Sequence, residues 1–307
     1  MDKTRTAITG VVGAVLILSS MVLLSGCIDI PDTGKVQTVI TILPQKEALE
    51  RIGGDLIEIT VMIPKGSSPH SYDPLPSQLI RVSTADVYFK VGSGVEFEEN
   101  HLGTIKEQNS GMRIVDCSEG IRIKSFSEHG EEEHIGEDDN DHGGTDPHIW
   151  LSPVNYGIMA VNILNGLIEV DPENEETYRS NFNAYKDELD STVENMSAHL
   201  SPYAGRYFLA YHPSWGYFGD DFDLHQIAIE NEGQQPGPSG IASIIEQAGD
   251  HNITVVFVSN QYDTTSARII ADEIGGEVVT VDPLPENYIS SITDLSEKMA
   301  AGFQNGR

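Results

Sequence analysis

Apolar residues occur along this chain in two kinds of run, and the two kinds alternate. Short β-branched stretches at 36–43 (VQTVITIL), 56–63 (LIEITVMI), 85–91 (ADVYFKV) and 113–117 read as strands. Between them, residues 44–54, 74–85 and 97–108 read as helices, the first opened by Pro44 and closed by Gly53-Gly54. Ser152-Pro153 then gives a cap and a first-turn proline, ahead of Val154, Ile158, Val161, Leu164 and Ile168 at helical spacing. A second cap signal, Asp171-Pro172, precedes a stripe of Phe182, Tyr185, Leu189, Val193, Met196 and Leu200. The alternation resumes with strands at 206–211, 224–229, 253–258 and 277–281, and helices at 241–248, 265–274 and 290–303. Such a pattern predicts an α/β chain of two lobes, each a mainly parallel sheet flanked by helices, joined by a long rigid helix. The expected boundaries are 36–170 for the first lobe, 171–203 for the connecting helix and 204–307 for the second lobe. An ordinary packed helix within one large domain is the alternative for the connector.

Two segments fall outside this rhythm. The first six residues carry Lys3 and Arg5, an apolar run follows over 7–24, and then comes Leu24-Ser25-Gly26-Cys27. A basic start, an apolar middle and small residues before a cut describe an export signal. Cys27 after Leu-Ser-Gly resembles a lipobox, so 1–26 is expected to be the signal peptide and 27–35 a tether lipidated at Cys27. The chain would then be extracytoplasmic, anchored to the outer face of the cell membrane. An uncleaved membrane anchor is the alternative, because the apolar run is near the lower limit for a spanning helix. The second segment, 127–145 (SEHGEEEHIGEDDNDHGGT), has almost no apolar side chains and holds His129, His134 and His142 among carboxylates. It cannot bury enough surface to fold alone and is expected to be a flexible loop, with weak auxiliary metal binding or a plain solvated flap as its two readings.

Composition removes several function classes. A net charge of −30 repels phosphate, which excludes nucleic acid as a partner. Cys117 is the one cysteine besides Cys27, so the mature chain has neither a disulfide framework nor a thiolate metal site. Metal chemistry would have to come from imidazole and carboxylate, and a monomer is expected.

The histidines supply that chemistry. His70 follows the second predicted strand, in PHSYDP; His212 closes the first strand of the second lobe, in AYHPSW. Asp282 closes the last strand, in VVTVDPL, and His148, in DPHIW, stands where the acidic loop meets the next helix. Ligands of open α/β sheets bind outside the carboxyl ends of the strands, where these residues fall. Three imidazoles and one carboxylate suit Zn²⁺ in near-tetrahedral geometry, whereas Mn²⁺ prefers more oxygen donors. Neighbouring prolines at all three histidines restrict the turns that aim them.

The segments PHSYDPLPSQ, DPHIWLSP, AYHPSWGYF and VVTVDPL occur in that order, with the His/acid-rich insert just before the second. This resembles the zinc/manganese cluster of ABC-transporter solute-binding proteins, of the high-affinity zinc-uptake type, over essentially the whole mature chain. The resemblance implies two lobes, a linking helix, and one metal ion held in the cleft by His70, His148, His212 and Asp282 for delivery to a membrane permease. Members tuned to manganese tend to carry glutamate where His212 stands, which favours zinc; Mn²⁺ or Fe²⁺ is the alternative cargo. Some zinc members have an acidic residue before the first histidine, and here it is Pro69, which points to Asp282 as the fourth ligand. A zinc hydrolase is disfavoured, since the chain has no His-Glu-x-x-His pair and no Gly-x-Ser-x-Gly elbow. A surface adhesion lipoprotein that uses zinc as a staple is the alternative of another class.

Overall fold

The β-branched runs become two four-stranded, all-parallel sheets. In the first, β1 (Val36–Ile40), β2 (Ile57–Val61), β3 (Val87–Lys90) and β4 (Arg113–Asp116) lie in the order β2-β1-β3-β4. In the second, β5 (Tyr207–Ala210), β6 (His225–Ala228), β7 (Val255–Ser259) and β8 (Glu277–Val281) lie in the order β6-β5-β7-β8. Each sheet thus has a switch point beside its first strand, where the crevice of an open α/β sheet forms. A computed structural model describes residues 34–126, 144–230, 234–259 and 265–305. The expected signal peptide, Cys27, and His129, His134 and His142 lie outside the described residues.

Helices flank the sheets as the alternation requires. The first lobe carries α1 (Pro44–Gly53), α2 (Pro76–Val82), α3 (Glu96–Gln108) and α4 (Pro153–Val170). After α5 (Glu175–Leu200), the second lobe carries α6 (Gly216–Phe222), α7 (Pro238–Asp250), α8 (Thr265–Glu273) and α9 (Tyr288–Asn305). The seven-residue α6 is absent from the sequence reading, because YFGDDF is too short to show a helical period. Among the described residues no helix is long and apolar enough to cross a membrane.

Two details depart from the pattern. The stripe expected on α4 is only partly the buried one: Leu164 is buried, but Val154 and Val161 are exposed, and Tyr156, Met159, Ala160, Ile163 and Leu167 complete the inner face. Apolar residues surround this helix, so periodicity alone could not choose its inner face. Asp171 does not cap α5 directly. A 3₁₀ turn at Pro172–Asn174 intervenes, and the Asp171 carboxylate instead accepts from Asn174 Nδ2 and the Tyr178 hydroxyl, both at 2.7 Å.

The long helix α5 runs between the lobes and buries Tyr178, Phe182, Tyr185, Leu189, Met196 and Leu200 along one stripe. That stripe belongs to a core shared by both lobes, which takes in Val39 and Phe89 of the first sheet, Phe208 and Phe257 of the second, and Met299 of α9. A separate cluster built on Leu209, Val256 and Val258 covers the far face of the second sheet. Tyr156 and Tyr288 stack across the junction, ring centroids 3.4 Å apart and planes nearly parallel. Around them Trp150 Nε1 donates to the Pro283 carbonyl at 2.7 Å, and the Tyr288 hydroxyl donates to the Trp150 carbonyl at 2.8 Å. Lobes fused in this way resist wide hinge opening.

Removing a fully buried aromatic ring leaves a cavity, so Tyr288→Ala should cost about 3–5 kcal/mol. Urea unfolding read by near- and far-UV circular dichroism should show both lobes melting in one transition, before and after the substitution.

Candidate metal centre

Three of the four expected ligands converge. His70 lies in the loop after β2, His148 immediately before the 3₁₀ turn Ile149–Leu151 that leads into α4, and His212 two residues beyond β5. One donor nitrogen from each lies within 4.8 Å of the others, and no other such group of three or more occurs among the described residues. Nε2 of His148 and Nε2 of His212 are 3.3 Å apart. Two imidazole nitrogens bound to one tetrahedral ion at 2.0–2.1 Å would sit about 3.3 Å from each other. The ring centroids of His70 stand 6.2 Å from His148 and 5.3 Å from His212. His148 is buried, His212 half-buried and His70 exposed, which grades the site from protein interior to solvent.

Each ring is held from behind by a carboxylate. Nδ1 of His70 donates to Glu96 at 2.8 Å, Nδ1 of His148 to Asp146 at 2.7 Å, and Nδ1 of His212 to Glu230. An ionised carboxylate only accepts, so the hydrogen of each neutral ring sits on Nδ1 and the lone pair on Nε2. This is the arrangement that orients a metal-binding histidine and raises its basicity. Sequence reading missed all three carboxylates. Glu230 is placed by register: β5 and β6 pair Ala210 with Ala228, and two residues further along each strand stand His212 and Glu230. The interruption of the apolar run IAI by Glu230 was the available signal. Asp146 was visible within DPHIW without its role, and Glu96 opens α3.

The turn before α3 is itself pinned. Buried Glu98 accepts from the Val91 N–H at 2.6 Å, the Gly92 N–H at 3.0 Å and the Thr41 hydroxyl at 2.5 Å. Burial holds its carboxyl above the usual carboxylate range, and these donors pull it back down. Gly92 takes φ 87°, and a Cβ there would come 1.9 Å from Asp116 Oδ1, so only glycine fits. Glu96 is thereby delivered to His70.

Asp282 follows β8 at the carboxyl edge of the second sheet, but is exposed and outside the close group. Its Oδ1 accepts from the Leu284 N–H at 2.9 Å. Two other histidines are occupied elsewhere: His101 by Phe97 and Asp73, and His225 against Tyr207. Cys117 is fully buried, and burial pushes its thiol up, which makes it inert.

Two open parallel sheets that turn their carboxyl edges toward one three-imidazole cluster define a bilobal α/β binding protein. A family model described as zinc-uptake complex component A, periplasmic (ZnuA) matches residues 38–302, and the chain belongs to that family. A crystal structure of ZnuA superposes with a TM-score of 0.78 at 35% identity, covering 86% of this chain and 98% of that one. A zinc-bound crystal structure of a ZnuA deletion mutant gives 0.77 at 35% identity, covering 86% and 96%. The high-affinity zinc uptake system protein ZnuA of Bacillus subtilis (strain 168) is 26% identical over 254 residues, 81% of this chain and 79% of its own.

Burial lowers the His212 pKa, partly offset by the Glu230 hydrogen bond, so the neutral, metal-ready ring is favoured. The unfolded chain takes up this proton near ~6.5, before the folded one does. The contribution of His212 to the stability of the metal-free protein should therefore fall as pH drops from there toward the depressed value. Urea unfolding at about pH 7.5 and 5.5 should show a smaller pH difference for His212→Asn than for the wild type. Replacing Glu230 by Gln should weaken divalent transition-metal binding about 10- to 100-fold in a chelator-competition titration, with Nε2 still present to bind.

Proposed function

We propose that the protein captures a single Zn²⁺ ion at His70, His148 and His212 outside the cell and delivers it to the permease of an ABC transporter. The observation that carries this reading is the convergence of three imidazoles, each fixed by a carboxylate on its Nδ1. A set with three imidazole nitrogens favours Zn²⁺ over Mn²⁺. The zinc named for the Bacillus subtilis relative and for the deletion-mutant structure supports the same cargo. Asp282 is the fourth donor in this proposal, from the same sheet edge as His212. Carriage in preference to turnover is supported by the engagement of Glu96, Asp146 and Glu230, each by an imidazole, which leaves none of these three poised as a general base. Lipidation at Cys27 would keep the carrier beside its permease.

Isothermal titration of the chelator-stripped protein tests the reading. One Zn²⁺ per chain should bind tightly, to a metal-free protein that keeps its far-UV circular dichroism because its core is built without the ion. His212→Ala should cost far more affinity than deleting residues 128–143, with Asp282→Ala in between. Equal losses for His212→Ala and the loop deletion would overturn the ligand assignment. An unfolded metal-free chain would point to a structural staple.

A further inference from the structure

His148 and His212 belong to different lobes, and α6, which follows His212, bridges to the segments on both sides of His148. On one side the turn after His212 is tight: the Ser214 N–H donates to the His212 carbonyl at 2.8 Å, and the Trp215 N–H to Gln226 Oε1 at 2.7 Å. Trp215, Tyr217 and Phe218 are buried. On the other side the 3₁₀ turn carries His148 to Ser152, with the Leu151 N–H on the His148 carbonyl at 3.1 Å. Ser152 caps α4, accepting the Asn155 N–H at 2.9 Å.

Three side chains of α6 grip the opposite lobe. The Tyr217 hydroxyl accepts the Lys124 N–H at 2.8 Å and donates to the Asp146 carbonyl at 3.2 Å. Asp220 pairs with the Lys124 ammonium. Asp221 Oδ2 accepts the Ser152 hydroxyl at 2.6 Å and the Val154 N–H at 3.3 Å, at the N-terminus of an 18-residue helix. A charged acceptor there is favoured by the helix dipole and makes the stronger kind of hydrogen bond.

We propose that Asp221 is a positioning residue of the metal centre, which through Ser152 and the start of α4 sets the separation of His148 and His212. The proposal rests on those histidines being zinc ligands. Asp221 is kept at a cost. Burial raises its pKa from 3.8 to about 6, against the lowering effects of Ser152, Val154 and Lys124 and with the raising effect of Asp220. Tyr288 of α9, whose ionisation Asp221 disfavours, is the further titratable group facing it. Because the folded pKa lies above the unfolded one, the ionised carboxylate lowers stability at neutral pH, and protonation relieves this as pH falls through about 6.

The test is zinc affinity by chelator competition at about pH 7.5 and 5.5, with urea stability of the metal-free proteins, for wild type, Asp221→Asn, Ser152→Ala and Tyr217→Phe. Asp221→Asn should bind zinc about tenfold more weakly at the higher pH while its metal-free form is no less stable than wild type. The gap should narrow at the lower pH, where wild-type Asp221 is mostly neutral. Tyr217→Phe, which removes an uncharged grip, should keep its deficit at both. If Asp221→Asn does not fold, Ser152→Ala must show the same pH-dependent deficit. Unchanged affinity at the higher pH, or a deficit independent of pH, would overturn the positioning role alone. A wild type that binds no zinc would overturn the reading of the site, and the positioning role with it.

Discussion

Two imidazole nitrogens that turn lone pairs toward each other across 3.3 Å repel unless a cation lies between them. Holding them there requires each ring to be fixed from its other side, and the three Nδ1–carboxylate hydrogen bonds do this. The rest of the architecture follows from that requirement. Glu230 reaches His212 because two parallel strands are in register, and Glu96 reaches His70 because Glu98 pins the turn ahead of α3. Asp146 reaches His148 because the two are separated by a single proline. Each of these supports comes from the same lobe as its histidine, so the relation between lobes is what remains to be controlled.

That relation is set by a common core. The buried stripe of α5, the stacked Tyr156 and Tyr288 and the interior of α9 merge the two lobes into one hydrophobic cluster. Opening the cleft widely would expose this surface at roughly 25 cal/mol for every Å² of apolar area. Small rearrangements of the loops at the sheet edges cost far less. The His70 loop is the suitable mover, since His70 is the exposed member of the trio while His148 is buried against Trp150. The net charge of −30 adds a long-range pull on any cation approaching that open side.

Much was legible in the residues themselves, because alternating runs and their breakers act locally. The eight strands and most helices stand within a few residues of where periodicity puts them, and β8 falls on the expected 277–281. Histidines at strand ends were equally visible, since parallel strands present their carboxyl ends at one edge. Periodicity could not select the inner face of α4, whose apolar residues surround it, nor show the short α6. It was also silent on Glu230 and Asp221, two acids among 48 acidic residues, whose partners lie 18 and 69 positions away in the chain. Local sequence determined most of the elements and the three histidines that converge. Only the tertiary structure decided which carboxylates stand behind them and that both lobes share one core, because register and packing join residues the chain keeps apart.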